Sequence, residues 1–354
     1  MKILVLPGDG IGPEIIEATI EVLAAADRRF GLDIELERDE VGFTALAATG
    51  STCPPHVIGR ARDADGLILG PVSHNEYPPV AEGGVNPSGK LRIGLDLYAN
   101  LRPAKCRAGI PSVARNMDLL IARENTEGFY ADRNMASGSG EFMPVEGVGL
   151  AMRKITAAGC RRIALAGFRE AMRRRRQVTA IHKANVMRLT DGIFLEETRR
   201  AAAEFPDVAY DEMLVDAAAA WLVRAPERFD VMVTTNMFGD ILSDEASELS
   251  GSLGLAGSLN AGDEHAMAQA QHGSAPDIAG KGIANPVSLV LSTGMLLGWL
   301  GDRHGRADYR DAAAAIDAAV DALLADGNLR TPDLGGSAGT KEITDRLCSD
   351  LSAG

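Results

Sequence analysis

The chain has 354 residues, of which 46% are hydrophobic and 24% are charged. These values are ordinary for a globular protein, and the length suits about two domains. The net charge of −13 disfavours binding to nucleic acid or to an anionic membrane, since bringing this charge near phosphate groups is unfavourable. The arginine run at positions 173–176 is interpreted as a solvated helix face.

Cysteine usage indicates a reducing compartment. The four cysteines, at positions 53, 106, 160 and 348, form no CxxC or Cys/His cluster, so neither a zinc site nor a disulfide framework is expected. The first residues enter a short apolar strand without the layout of a signal peptide, and no apolar stretch reaches the roughly 18 residues of a membrane span. We therefore expect a cytoplasmic protein.

Short apolar runs alternate with helical patterns along the chain. Buried strands are predicted at residues 3–6, 66–69, 119–122, 163–166, 178–181 and 231–234. Pro13 is placed to open the first helix, and residues 14–23 keep apolar side chains at helical spacing. This alternation is typical of an α/β fold. The segment 127–149, rich in Gly, Ser and Met, is predicted to be either a dimerisation arm or a mobile loop.

Acidic residues recur every four positions in GDILSDEASEL, where Asp240, Asp244 and Glu248 share one predicted helical face. This face begins just after a predicted strand, at the carboxyl end where α/β proteins place ligands. Carboxylate oxygens prefer Mg²⁺ or Mn²⁺ to zinc, whereas a merely solvated face is the alternative. Asp216 interrupts the apolar stretch MLVDAAAAWL and is a candidate third ligand, unless it is a helix cap or a surface acid.

Three arginines form a candidate site for a polycarboxylate. Arg92 and Arg102 flank IGLDLYANL, and Arg123 follows an apolar strand ahead of ENTEGFY. A guanidinium binds a carboxylate through two parallel hydrogen bonds and keeps its charge, although surface ion pairs are the alternative for each arginine alone. Tyr130 and Lys183 are candidate proton carriers, but either type alone is more often structural.

Two segments are rich in glycine. LPGDGIGPE does not match the GxGxxG dinucleotide fingerprint and is compatible with a tight strand-to-helix turn. HGSAPDIAGKGIANP combines a possible stacking imidazole, His272, with backbone amides and with Asp277, whose carboxylate can accept hydrogen bonds from ribose hydroxyls. An acid at position 277 disfavours a nucleotide whose ribose carries a 2′-phosphate.

Taken together, LPGDGIGPE, NLRPAK, RENTEGFY, IHKANVMRLTDGIF, FGDILSDEASELSGSLG and HGSAPDIAGKGIANP closely resemble the isocitrate and isopropylmalate dehydrogenase family. The resemblance covers nearly the whole chain. It implies an isopropylmalate dehydrogenase-like two-domain fold, with a discontinuous large, cofactor-binding domain (1–99 and 252–354) and an inserted small domain for substrate binding and dimerisation (100–251). The active-site cleft would lie between them. It also implies a homodimer in which Lys183 and Asp216 reach the partner's site.

The resemblance implies roles for individual residues. These are Arg92, Arg102 and Arg123 for the substrate carboxylates, Asp216, Asp240 and Asp244 for Mg²⁺ or Mn²⁺, and Tyr130 and Lys183 for proton transfer. The adenosine part of NAD would contact His272, Gly273, Ser274, Ala275, Asp277, Ile278 and Asn285. Relatives that use NADP carry a lysine and a tyrosine in place of Asp277 and Ile278, so the resemblance implies NAD.

The reaction implied is the oxidative decarboxylation of a 3-substituted malate. In VNPSGKLR, Asn86 and Ser88 lie where isopropylmalate enzymes present an acid and paired leucines, so we expect a polar substituent, as in isocitrate or homoisocitrate. Isopropylmalate, D-malate and tartrate are the alternatives. A non-catalytic regulatory subunit is an alternative of another class, disfavoured because the catalytic pair and three aspartates are present. Gln269 replaces a glutamate usual in relatives, and the loop 71–79 is longer than expected.

Overall fold

The computed structural model describes residues 1–130, 135 and 138–353. The strands are β1 (Lys2–Leu6), β2 (Glu35–Arg38), β3 (Gly66–Leu69), β4 (Ala99–Lys105), β5 (Asp118–Glu124), β6 (Glu141–Val145), β7 (Val148–Ala151), β8 (Gln177–His182), β9 (Ala209–Leu214), β10 (Val231–Thr234), β11 (Leu259–Ala261) and β12 (Ala266–Gln269). The α-helices are α1 (Gly12–Phe30), α2 (Phe43–Thr49), α3 (Pro55–Arg62), α4 (Pro87–Gly94), α5 (Ala157–Met172), α6 (Thr190–Ala202), α7 (Val215–Arg224), α8 (Asn236–Ser250), α9 (Val287–His304), α10 (Ala307–Asp326) and α11 (Thr340–Ala353). Strands alternate with helices, which confirms the predicted α/β fold.

The chain divides into two compact units. The first contains Met1–Leu95, Arg107–Pro111 and Gly251–Gly354, and the second contains Asp96–Cys106 and Ser112–Ser250. The cofactor and substrate roles expected for the two domains stay predictions. None of the helices in the described part of the chain combines the length and apolarity that a membrane crossing requires.

The first unit contains strands in the order β2-β1-β3-β12-β11. β1 pairs in parallel with β2 and β3, β3 pairs in parallel with β12, and β11 is antiparallel to β12. The side chains at 3–6 in β1 and 67–69 in β3 are fully buried, as expected for parallel strands covered on both faces. Helix α1 begins with Pro13 in its first turn, as predicted, and ends at Gly31, whose left-handed backbone lets its N–H bond to the Asp27 carbonyl.

The second unit contains strands in the order β4-β5-β10-β8-β9, with β4 antiparallel to β5 and the remaining neighbours parallel. Arg123 lies near the carboxyl end of β5, Lys183 follows β8, and α8 begins two residues after β10. Because these three strands are parallel, their carboxyl ends share one edge of the sheet. This edge positions several of the predicted site residues.

One predicted strand is wrong. Residues 163–166 lie inside helix α5, whose buried positions include Cys160, Ile163, Gly167 and Ala171, spaced by three or four residues. The short apolar run is therefore part of the buried stripe of a helix that lies between β7 and β8 in the chain. Gly167 permits close packing, because a Cβ there would lie 2.2 Å from a methyl group of Val233 on β10.

The segment 127–149 falls partly outside the described residues. Its described part includes β6, which pairs with β7 as an antiparallel hairpin. Large apolar side chains of the hairpin are exposed, namely Phe142, Met143, Val145, Val148 and Leu150. A role of this hairpin in dimerisation stays a prediction.

Candidate active site

The carboxylate of Asp240 is the centre of a cluster in the second unit. Helix α8 presents it one turn before Asp244, as the four-residue spacing predicts. Its Oδ1 accepts hydrogen bonds from Arg102, at 3.1 Å, and from Arg123, and its Oδ2 accepts one of 3.1 Å from the Tyr130 hydroxyl. Four predicted site residues thus meet within one unit.

Arg102 reaches the cluster from β4. Its side chain is 8% exposed, and its Nη1 donates to Ser243 at 2.7 Å and to Asp244 at 3.3 Å. Burial, together with the neighbouring positive charge of Arg123, lowers the pKa of Arg102 to about 10, while Asp240 and Asp244 oppose the shift. The guanidinium therefore keeps its charge at neutral pH.

Arg123 is 2% exposed and is fixed by a residue that the sequence analysis did not single out. Its Nε and Nη2 donate to Oδ1 of Asn236, at 3.0 and 2.6 Å, and Asn236 in turn donates to the Glu127 carbonyl. The guanidinium carbon also lies 5.8 Å from the centre of the Tyr130 ring. Asn236 begins α8, so the same residue aligns an arginine and the acidic helix.

The donor set on α8 fits a hard divalent cation, because two carboxylates one turn apart are partly exposed and held by arginines. Among the described residues of one chain, however, no group of three or more His, Cys, Asp or Glu side chains is arranged to hold a metal ion. The expected set of Asp216, Asp240 and Asp244 is therefore not assembled within one chain. Its assembly across two chains stays a prediction.

Lys183 and Asp216 pair with each other. Nζ of Lys183 donates to Oδ1 of Asp216 at 2.7 Å, and this hydrogen bond is the main reason that the pKa of Asp216 lies below its usual value. Asp216 lies in the first turn of α7 and its side chain is 65% exposed. The two residues that the resemblance assigns to the partner's site are thus accessible and adjacent.

In the first unit, Arg92 and Ser88 on α4 share one acceptor. Oε1 of Gln269, at the end of β12, accepts hydrogen bonds from Ser88 at 3.0 Å and from Arg92 at 3.1 Å. Ser88 and Gln269 are buried. Asn86 is the N-cap of α4, and its Oδ1 accepts from the Gly89 amide at 3.2 Å. The side chain of Asn86 therefore has a structural task besides its predicted substrate contact.

A cavity of about 450 Å³ in the first unit is the candidate cofactor site. Five of its lining residues were predicted, namely His272, Gly273, Ala275, Ile278 and Asn285. Residues that the sequence analysis missed complete the wall, namely Ile11, Ser252, Leu253, Gly254, Ile283, Pro332 and Asp333. Asp333 lies in a segment in which the sequence shows no chemical motif, so only the fold could place it there.

Hydrogen bonds hold two polar side chains of the cavity, Asn285 and Asp333, in place. Nδ2 of Asn285 donates to Asp333 at 2.9 Å, and its Oδ1 accepts from the Val287 amide. Burial lowers the pKa of His272, so the imidazole is neutral at neutral pH and suits stacking on a base. Asp277 is exposed in a short 3₁₀ turn beside the cavity-lining Ile278, and its contact with ribose stays a prediction.

The LPGDGIGPE segment packs directly on the HGSAP segment. The Ile11 amide donates to the Ser274 carbonyl at 2.8 Å, and a Cβ on Gly10 would lie 2.0 Å from that oxygen. Ser274 also shares a hydrogen bond of 2.7 Å with Ser73 of the 71–79 loop. The glycines therefore serve a tight turn and a close backbone approach.

The chain is similar to known proteins over nearly its whole length. Residues 2–347 match the family model described as isocitrate/isopropylmalate dehydrogenase. The chain is 42% identical to the 3-isopropylmalate dehydrogenase of Saccharolobus solfataricus, over 98% of each sequence. It is 41% identical to the isocitrate/homoisocitrate dehydrogenase of Thermus thermophilus, over 99% of each. The crystal structure of an isocitrate dehydrogenase from Methylococcus capsulatus superposes with a TM-score of 0.87 at 37% identity, covering 99% of each chain.

Proposed function

Because the chain belongs to the isocitrate/isopropylmalate dehydrogenase family, we propose that it oxidises and decarboxylates a 3-substituted malate with NAD⁺ and Mg²⁺ or Mn²⁺. Members of this family are β-decarboxylating dehydrogenases that act on a CH–OH group with NAD(P) and a divalent metal. The observation that carries the proposal is the cluster in which Arg102, Arg123 and Tyr130 all bond to the Asp240 carboxylate.

The buried arginines would bind the acid. Arg102 and Arg123 are charged, nearly inaccessible and fixed by Asn100 and Asn236, so little side-chain freedom is lost on binding. Each guanidinium contacts Asp240, and a carboxylate ligand would provide a further acceptor beside it. Arg92 would contribute a third positive charge.

The proposed reaction needs a proton acceptor and a proton donor. Lys183 would take the proton of the C2 hydroxyl, a bound NAD⁺ would serve as the acceptor of the hydride from C2, and a bound divalent ion would polarise the C2 oxygen. Loss of CO₂ then leaves an electron pair at C3, and the Tyr130 hydroxyl supplies the proton that C3 gains. The hydrogen bond from Tyr130 to Asp240 keeps the phenol beside the acidic face of α8.

NAD rather than NADP is proposed because of the charge beside the cavity. Asp277 and Ile278 occupy the turn next to the predicted adenosine site, and an acid repels a 2′-phosphate. The cavity is lined mostly by apolar side chains and backbone, and its polar side chains are the neutral His272, Asn285, Ser252 and Asp333.

A polar substituent at C3 is proposed because the first turn of the helix that carries Arg92 presents the buried Ser88 in place of the paired leucines expected for an isopropyl group. Ser88 and Gln269 form a hydrogen-bonded pair, which an isopropyl group would bury without a new partner. The second candidate substrate is 3-isopropylmalate, favoured by the name of the relative that is 42% identical.

A screen of NADH formation decides between the substrates. The purified protein with Mg²⁺ is assayed against isocitrate, homoisocitrate, 3-isopropylmalate, D-malate and tartrate, and the polar acids are expected to give the higher kcat/KM. A preference for 3-isopropylmalate would refute the pocket interpretation. An absence of metal-dependent NADH formation with every acid would favour the regulatory alternative.

A homodimer completes the proposal, since the described residues of one chain do not assemble three acidic ligands. The exposed apolar side chains of the β6–β7 hairpin and Ile241 on α8, which is 60% exposed, provide surface for a second copy of the chain. Asp216 and Lys183 of each protomer would then complete the site of the other.

A further inference from the structure

Lys183 is anchored through its backbone to a buried carboxylate. Its amide N–H donates to Oδ2 of Asp191 at 2.5 Å, and Asp191, in the first turn of α6, is fully buried. Asp191 lies eight positions after Lys183, so it closes the loop between β8 and α6. The backbone at Lys183 therefore has one fixed acceptor at the carboxyl end of β8.

Arg153 holds that carboxylate. Its side chain, 8% exposed, pairs with Oδ1 of Asp191, donates to Thr190 at 2.7 Å and donates to Thr235 at 2.9 Å. Its guanidinium carbon also lies 5.5 Å from the centre of the Phe238 ring. Thr235 and Phe238 flank the start of α8, the helix that carries Asp240. One arginine thus links the Lys183 loop to the acidic helix.

Lys154, the residue after Arg153, contacts a third segment, the one that leads to Tyr130. The amide of Lys154 donates to the Gly128 carbonyl at 3.0 Å, and the Gly128 amide donates back to the Lys154 carbonyl at 2.8 Å. Gly128 lies two residues before Tyr130. The dipeptide 153–154 follows β7 of the exposed hairpin, so the end of the hairpin contacts all three segments that carry Tyr130, Lys183 and Asp240.

We propose that the Arg153–Asp191 pair is a positioning device that fixes the backbone of Lys183, so that its amine is held accurately where it reaches the partner's site, and so determines kcat. This inference rests on the proposed function of Lys183 as the proton acceptor. A flexible four-carbon side chain delivers its amine accurately only if its backbone is fixed, and displacement of a reacting group by about 1 Å can cost roughly 100-fold in rate.

The planar guanidinium of Arg153 explains why the Arg153–Asp191 pair positions Lys183 as well as stabilising the fold. A lysine could match the charge of Asp191 but could not reach Thr190, Asp191 and Thr235 from one rigid plane. Arg153→Lys is therefore expected to keep the fold while loosening the link between the two segments.

The test compares variants of the full-length protein. Arg153→Ala is expected to lower kcat roughly 10- to 100-fold, with Arg153→Lys between it and the wild type, and the KM for NAD⁺ unchanged. Hydrogen exchange of the Lys183 amide should accelerate in the same order. The exchange measurement needs no activity, so it separates failure of the positioning role from failure of the proposed function.

A second buried ion pair provides the matched control. Arg174 bonds to Asp230 at 2.8 Å, and Asp230, fully buried in the same unit, accepts from the Gln177 amide at the end of β8 opposite to Lys183. Arg174→Ala should lower the melting temperature and leave kcat and Lys183 exchange unchanged. Equal losses of kcat in Arg174→Ala and Arg153→Ala, or unchanged Lys183 exchange in the Arg153 variants, would overturn the proposal.

Discussion

The hydroxyl of Tyr130 donates a hydrogen bond of 3.1 Å to Oδ2 of Asp240, the acid that also bonds to Arg102 and Arg123 through Oδ1. A proposed proton donor is therefore held by a proposed metal ligand. Because one carboxylate serves both groups, the orientation of the phenol and the arrangement of the acidic helix are coupled.

Replacement of Tyr130 by phenylalanine removes this proton and leaves the ring. We expect kcat to fall roughly 10²- to 10⁴-fold while the KM of the acid changes little, because the substrate carboxylates bind to arginines. Steady-state NADH formation measures both. Tyr210→Phe is the control, since that hydroxyl also bonds to a carboxylate of the same unit, Glu212, at 2.8 Å. Equal activity of the two variants would contradict the role of Tyr130.

If each active site contains residues of both protomers, two inactive variants should regain activity when they form a mixed dimer. Lys183→Ala and Asp240→Asn should each abolish activity, because each homodimer then has two defective sites. In a mixed dimer one site carries both changes and the other carries neither. Co-expression should therefore restore about a quarter of the wild-type activity, for random pairing of a two-fold dimer.

Two controls make the complementation decisive. Co-expression of Asp240→Asn with Tyr130→Phe should restore nothing, because both changes fall on the same side of the proposed site. Sedimentation of each variant should show an unchanged dimer. If each chain held a complete site, neither co-expressed pair would regain activity.

Asp277→Ala tests the cofactor site. Loss of the proposed acceptor for the ribose hydroxyls should raise the KM of NAD⁺ roughly tenfold and leave the KM of the acid unchanged, since a hydrogen bond to a charged group contributes about 1.5 kcal/mol. Asp311→Ala, at an exposed acid on α10, is the control. Similar rises in both KM values would exclude a specific contact between Asp277 and the ribose.

The lowered pKa of His272 predicts a pH dependence of stability. The unfolded chain protonates this imidazole near its usual pKa of 6.5, whereas burial delays protonation in the folded protein. Below pH 6.5 the unfolded state therefore binds more protons, and the free energy of unfolding falls by at most about 1.4 kcal/mol per pH unit until the folded pKa is passed. His272→Asn should lose less stability than the wild type between about pH 7 and pH 5 in urea titrations. If the wild type and His272→Asn lost the same free energy of unfolding over this range, the pKa of His272 would not differ between the folded and unfolded states.

The sequence predicts best the parts of the structure that depend on local periodicity. The apolar runs at β1, β3, β5, β8 and β10 were identified, and the four-residue spacing placed Asp240 and Asp244 on one face of α8. The run at 163–166 was misassigned because four consecutive apolar residues fit a buried strand and a buried helix equally well. Only the wider spacing from Cys160 to Phe168 distinguishes the two.

Contacts between segments distant in sequence could not be predicted in this way. Nothing near Asp333 indicates that it bonds to Asn285, and Arg153 stands among exposed residues although its side chain reaches Asp191. Such pairs depend on how strands and helices pack, which periodicity does not encode. Asn236 is similar, since its capacity to hold Arg123 arises only once β5 and β10 are neighbours.

Gln269 offers a test of the charge at the proposed substrate site. Its buried Oε1 accepts hydrogen bonds from both Ser88 and Arg92. Because the amide of Gln269 is neutral, this residue does not neutralise the positive charge of Arg92. Gln269→Glu would form an ion pair with Arg92 and compete with a substrate carboxylate. We expect the KM of the acid to rise roughly tenfold and the KM of NAD⁺ to stay constant, as judged from initial rates.

Gln269→Leu separates charge from hydrogen bonding, because it removes the acceptor without adding an anion and should raise the KM of the acid less. An equal effect of the two variants would mean that Gln269 acts on the substrate only by orienting Ser88 and Arg92.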